Sequence, residues 1–325
     1  RDDGHCIKAY NFDISLTQLP AFKKVAPSCQ SKPDTWFITY GGAIPAPTIR
    51  ATVGHETLVR FVNKLDTSVS PKFAGHAPCN NGRSGRPFSV HHHGAASLAG
   101  YDGWADDEIC FDETKDYVYP NNRPATEWYH DHALHITADN AYFGAAGLYI
   151  NSAKIKDNGL GEPFNLEHME ERLMIINDKV LDSECQLFSD VGKSHENDLY
   201  GDINLVSGVP WPRMPMVAKT YRFRWLNAAV SRPYLIKLVN EQMDDVGKDV
   251  CSIVATDGGF RLSVVKMTDA GLLIGVGERY EMVCDLTELA GKKLFFINSF
   301  DEKVEKGVPF FCFSHLIARL EISAL

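Results

Sequence analysis

The sequence predicts an all-β protein built from two sandwich-type domains, and three observations carry that reading. Short runs rich in β-branched and aromatic residues recur along the whole chain, with Pro, Gly and Asn between them. Long stretches of helical periodicity are scarce. The length of 325 residues suits two domains, at roughly 150 residues each.

Taken in order, residues 35–40 (Thr-Trp-Phe-Ile-Thr-Tyr) form a β-rich run that stops at Gly41-Gly42. Residues 57–62 alternate apolar and polar side chains, as a half-buried strand does. Residues 131–141 read as a helix after a strand, and 144–150 return to strand. The segment 151–170 holds Lys154, Lys156, Asp157, Asn158, Gly159, Gly161 and Pro163 and few apolar residues, so it marks a boundary. The domains are expected at 1–155 and 156–325. In the second, strands are expected at 172–176, 221–226, 252–255, 280–284 and 316–322, and 182–202 reads as a polar loop.

Composition narrows the function classes. The net charge of −9 argues against a nucleic-acid surface, which needs a basic patch. The longest apolar stretches fall far short of the ~18 residues of a membrane helix. The chain begins at Arg1, as a mature or trimmed protein would after loss of a signal peptide. Its 8 cysteines are even in number and show no Cys-x-x-Cys spacing, which disfavours a zinc ribbon and fits disulfides. A secreted location or another oxidising compartment is expected, although no Asn-x-Ser/Thr sequon is present. The glycine-rich runs at 256–260 and 275–280 open no helix after a strand, so they read as turns rather than nucleotide-binding loops.

Chemistry concentrates in two short segments, His91-His92-His93-Gly94 and Trp128-Tyr129-His130-Asp131-His132. Each contains a His-x-His pair. On a strand such a pair projects two imidazoles from one face, with Cβ atoms about 6–7 Å apart. Imidazole is a ligand for copper, zinc, iron and nickel. One pair chelates a single ion, and two facing pairs suit two or three. His91, His93, His130 and His132 are therefore the candidate ligands. His92 faces away and reads as a spacer, and His135 reads as structural. Asp102, in the acidic turn Tyr101-Asp102-Gly103-Trp104, is the candidate catalytic acid, because reducing O2 to water consumes protons.

These segments resemble the multicopper oxidases, and within them the bilirubin-oxidase-like branch. The resemblance rests on His91-His92-His93-Gly94, on Tyr101-Asp102-Gly103-Trp104-Ala105, and on residues 128–138. It continues through 204–212, 221–228 and Gly277-Glu278-Arg279-Tyr280. It implies two cupredoxin-like Greek-key β-sandwich domains, with both His-x-His pairs in the first and no metal motif in the second. It also implies that His91 binds a type 2 copper, that His93, His130 and His132 bind a type 3 pair, and that Asp102 lies on the proton path to bound oxygen.

The chain departs from the family in one respect. The family's third domain carries a His-Pro-x-His-x-His run and a His-Cys-His run, and neither occurs here. After His135 only His168, His195 and His315 remain, all isolated, so no type 1 copper site can be assembled locally. The expected function is a copper-dependent oxidoreductase, an enzyme as part of a multicopper oxidase. It would couple oxidation of phenolic or tetrapyrrole-type reductants to O2 reduction, using a third cupredoxin domain on a separate or cleaved chain. The alternatives are a two-domain copper- or ligand-binding protein without oxidase turnover, and an interaction module with vestigial histidines.

Overall fold

The computed structural model describes residues 7–69, 79–152, 166, 169–189, 198–300 and 315–324. Cys6, Cys312, His168, His195 and most of the expected boundary segment lie outside the described residues. The chain divides into two compact units, residues 1–153 with 182–191, and residues 154–181 with 192–325.

The strands of the first unit are β1 (Lys8–Leu19), β2 (Thr35–Tyr40), β3 (Ala46–Thr52), β4 (Thr57–Asn63), β5 (Val90–His93), β6 (Thr114–Tyr119), β7 (Ala125–Asp131) and β8 (Ala146–Ser152). They form two four-stranded sheets, ordered β2-β1-β4-β6 and β3-β8-β7-β5. Aromatic side chains from both sheets meet between them. Tyr40 of β2 and Phe61 of β4 pack against Tyr129 of β7, with ring centroids 5.6 and 6.0 Å apart. Each sheet contains one parallel pair, β1 with β4 and β3 with β8, and its other pairings are antiparallel. Parallel neighbours cannot be joined by a hairpin, so the chain must cross between sheets, as it does in Greek-key sandwiches.

The second unit comprises β9 (Glu170–Lys179), β10 (Ile203–Val206), β11 (Val209–Pro210), β12 (Arg213–Val217), β13 (Thr220–Asn227), β14 (Tyr234–Val239), β15 (Cys251–Thr256), β16 (Gly259–Lys266), β17 (Leu272–Ile274), β18 (Arg279–Asp285), β19 (Lys293–Asn298) and β20 (Leu316–Ser323). Its sheets run β11-β10-β9-β13-β18-β15-β16 and β12-β20-β19-β14-β17. Phe223 and Trp225 of β13 meet Phe296 of β19 at 5.3 and 4.9 Å, inside one apolar core drawn from both sheets. The same device recurs, with one parallel pair per sheet, β9 with β13 and β12 with β20. The chain is thus all-β in two Greek-key sandwiches.

Two local expectations change. The helix expected at 131–141 shrinks to α1 (Thr137–Tyr142). The Asp131 carboxylate accepts the Ala133 N–H at 3.1 Å and His135 sits at φ 63°, so the chain turns before a helix can start. Part of the polar loop at 182–202 is fastened to the first unit. Cys185 is bonded to Cys29, and Thr35 Oγ1 and Trp36 N donate to Cys185 O and Gln186 Oε1 at 2.7 and 2.9 Å. The other disulfides among the described residues are Cys79–Cys110 and Cys251–Cys284, the latter joining facing positions of β15 and β18.

Candidate metal centre

The two His-x-His pairs meet because β5 is the edge strand of its sheet and pairs antiparallel with β7. His91 lies opposite His130, and His93 opposite Trp128. Directly opposed residues share a face, so His91, His93, Trp128 and His130 point one way. Val90, His92, Tyr129 and Asp131 point the other way, into the sandwich. His132 follows the end of β7, held by its N–H donating to Ser89 O at 2.6 Å.

The four imidazoles form one cluster. His91 is 5.6, 5.5 and 5.2 Å, centroid to centroid, from His93, His130 and His132, and His130 is 6.0 Å from His132. His91, His93 and His130 each bring a ring nitrogen within 4.8 Å of the others, and His93 Nδ1 lies 3.1 Å from His130 Nε2. His132 is more exposed and stands outside that triplet. His135, exposed on its turn, does not join it.

The surroundings set the state of these rings. A carbonyl oxygen only accepts, so His91 Nδ1, 2.5 Å from Asp102 O, carries its proton and leaves Nε2 for a ligand. His130 Nδ1 is held in the same way by Asp131 O at 2.7 Å. Burial pushes the His130 imidazolium pKa down to about 3, and it lowers that of His91 against the opposing pull of the Asp102 backbone and charge. Both rings are therefore neutral at pH 7, as metal ligation requires. Neutral nitrogen donors with their other ring nitrogen fixed by a carbonyl fit a copper ion. The pattern matches that of metal sites whose supporting shell is built in advance.

That support was not read from the sequence. Asp131, fully buried, accepts from Ser89 N, Ala133 N and Asn140 Nδ2 at 2.9, 3.1 and 2.9 Å, and Asn140 also bonds Arg86. The one available signal was a carboxylate lodged between two candidate ligands. Trp128, also unassigned, stacks on both His93 and His130 at 5.0 and 4.1 Å. Asp102 contacts His91 through its backbone oxygen. Its carboxylate is 39% exposed, with Oδ1 3.7 Å from His91 Nδ1. Gly103, at φ 76°, lies so close to β5 that a Cβ there would be 2.4 Å from Val90 O. A second cluster, Cys79, Glu108 and Cys110, is not a metal site, because its sulfurs are joined to each other.

Comparison with known proteins agrees with this geometry. The pattern of the family described as multicopper oxidase matches residues 22–86 and 78–154, the stretch that carries all four histidines. A bilirubin oxidase from Albifimbria verrucaria is 36% identical over 264 residues, covering 79% of this chain and 41% of that protein. A laccase from Bacillus stratosphericus is 29% identical over 290 residues, covering 82% and 54%. The chain thus spans about half or less of the length of these relatives. A crystal structure of a multicopper oxidase from Pseudomonas thermotolerans superposes over 99% of this chain and 65% of its own, with a TM-score of 0.72 at 18% identity, which supports a cupredoxin-like fold for both sandwiches. With the histidine cluster, the fold and the sequence likeness in agreement, the chain belongs to the multicopper oxidase family.

Proposed function

We propose that the chain forms the first two cupredoxin domains, divided near residue 155, of a copper-dependent oxidase that couples oxidation of phenolic or tetrapyrrole-type reductants to reduction of O2. The observation that carries this is the convergence of four imidazoles from β5, β7 and the residue just beyond β7. His91 would hold a type 2 copper and His93, His130 and His132 a type 3 pair. The bound copper would supply the one-electron chemistry that a protein side chain lacks.

The residues around the cluster have separate tasks. The Asp102 and Asp131 carbonyls hold the Nδ1 protons of His91 and His130 and leave each Nε2 its lone pair. Trp128 walls off one side of His93 and His130. Asp102, with its carboxylate half in solvent, is placed to pass protons between water and the His91 side of the cluster. Four imidazoles are too few for three copper ions, so the remaining ligands and the type 1 site would come from a third domain outside these 325 residues. Leu98, Trp104 and Leu134, 69%, 59% and 45% exposed beside the histidine segments, suit the rim of that interface. An oxidising compartment belongs to the same proposal.

The test is copper-dependent O2 uptake by the chain joined to a domain carrying the missing ligands, with a phenol or a tetrapyrrole as reductant. Turnover should appear only in the joined form and be lost in His91→Gln and His130→Gln. Turnover by the 325-residue chain alone, or turnover indifferent to these substitutions, would contradict the proposal.

A further inference from the structure

One buried serine joins the segments that carry the candidate site. Ser89 lies one position before β5 and is fully buried. Three of its groups bond to neighbouring segments. Its N–H donates to the Asp131 carboxylate at 2.9 Å, and its carbonyl accepts the His132 N–H at 2.6 Å. These two bonds extend the pairing of β5 with β7 as far as the last histidine of the cluster. Its hydroxyl donates to Trp104 O at 2.7 Å and so reaches the turn that carries Asp102.

That turn belongs to no strand, yet it orients a candidate ligand. Its carbonyls accept from the segments around it: Asp102 O from His91 Nδ1 at 2.5 Å, Trp104 O from Ser89 Oγ, and Ala105 O from Leu134 N at 2.9 Å. Asp107 N also donates to Trp104 O, at 3.0 Å, but that bond is local to the loop. The Ser89 hydroxyl therefore ties the turn to the ligand strand independently of His91. On its other side this hydroxyl meets that of Tyr117 in β6, whose oxygen accepts the Val90 N–H at 3.1 Å. Its direction is thus set from within the core.

We propose that Ser89 is a positioning residue whose hydroxyl holds the Asp102 turn against β5, and thereby keeps the His91 imidazole in the tautomer that leaves Nε2 for a ligand. His130 relies on a different carbonyl, that of its own neighbour Asp131, so the effect falls on His91. The backbone bonds of Ser89 to Asp131 and His132 survive replacement of its side chain, which separates this role from general support of the cluster. The orientation of His91 stands on this geometry alone. Only its consequence for copper rests on the function proposed above.

The test compares the full metal-free chain with Ser89→Ala by nuclear magnetic resonance of the histidine side chains. Solvent exchange of the His91 Nδ1 proton should be roughly 2–10-fold faster in Ser89→Ala, as expected for loss of a single net hydrogen bond. Exchange of the His130 Nδ1 proton should stay at its native rate. Equal acceleration at both histidines, or none at His91, overturns the proposal. The native chain supplies a check that needs no variant. Its Ser89 hydroxyl proton should be protected from exchange, and a freely exchanging hydroxyl overturns the proposal as well. In a second arm, Cu(II) affinity should fall by the same factor of roughly 2–10 in Ser89→Ala. An unchanged affinity despite faster exchange at His91 counts against the copper reading alone. A native chain that binds no Cu(II) overturns that reading and leaves the exchange measurements to judge the positioning of His91.

Discussion

His130 shows how much one buried side chain can dictate. Its imidazolium is pushed by burial from the ordinary 6.5 to about 3. As pH falls from 6.5, the unfolded chain takes up this proton and the folded chain does not. The group's stabilising contribution is therefore complete above pH 6.5 and is lost progressively toward pH 3. The neighbouring Asp131 acts in the opposite sense. Burial raises its carboxyl from 3.8 to about 7, so the folded chain retains a proton there that the unfolded chain releases. Comparing native protein with His130→Gln isolates the first effect. In metal-free protein, denaturant unfolding between pH 7 and pH 4.5 should show the native chain losing up to a few kcal/mol more than the variant. Parallel pH dependences for the two proteins would contradict the assigned state of His130.

At the scale of elements, the site depends on close backbone approach between β5 and the turn that carries Asp102. Gly103 holds φ 76°, and an added Cβ would lie 2.4 Å from Val90 O and 2.6 Å from His91 Cα. Gly103→Ala should therefore cost at least about 2 kcal/mol and weaken Cu(II) binding at His91, since the strand must move to admit the methyl group. An unchanged unfolding midpoint with unchanged copper affinity would refute this. Much of this arrangement was legible in the sequence. Period-two alternation alone places His91 with His93, and Asp102-Gly103 announces a turn. Other features were not legible because they depend on long-range contacts. The carbonyl that orients His91 belongs to Asp102, and a backbone oxygen leaves no mark in a sequence. The Asp131, Asn140 and Arg86 contacts, which tie α1 and the turn before it to the segment that precedes β5, join residues up to 54 positions apart in sequence. The packing of His92 against Tyr119, Tyr149 and Glu127 likewise depends on strands other than its own.

At the scale of the whole molecule, both sandwiches were foreseeable from short punctuated β runs, but the path of the chain through them was not. Eight cysteines allow 105 full pairings, and only the fold brings Cys29 to Cys185, fastening a segment from beyond the second unit's first strand to the first unit. The sandwich of the first unit brings four imidazoles together, and no second wall of ligands occurs among the described residues. The central claim is that this chain carries half of a copper cluster. Metal analysis and absorption spectroscopy of the purified 325-residue chain test it most directly. The account predicts fewer than three copper ions, weakly held and lost on His130→Gln, with no strong blue colour. Three or more tightly bound copper ions, or an intense blue absorbance, would contradict it.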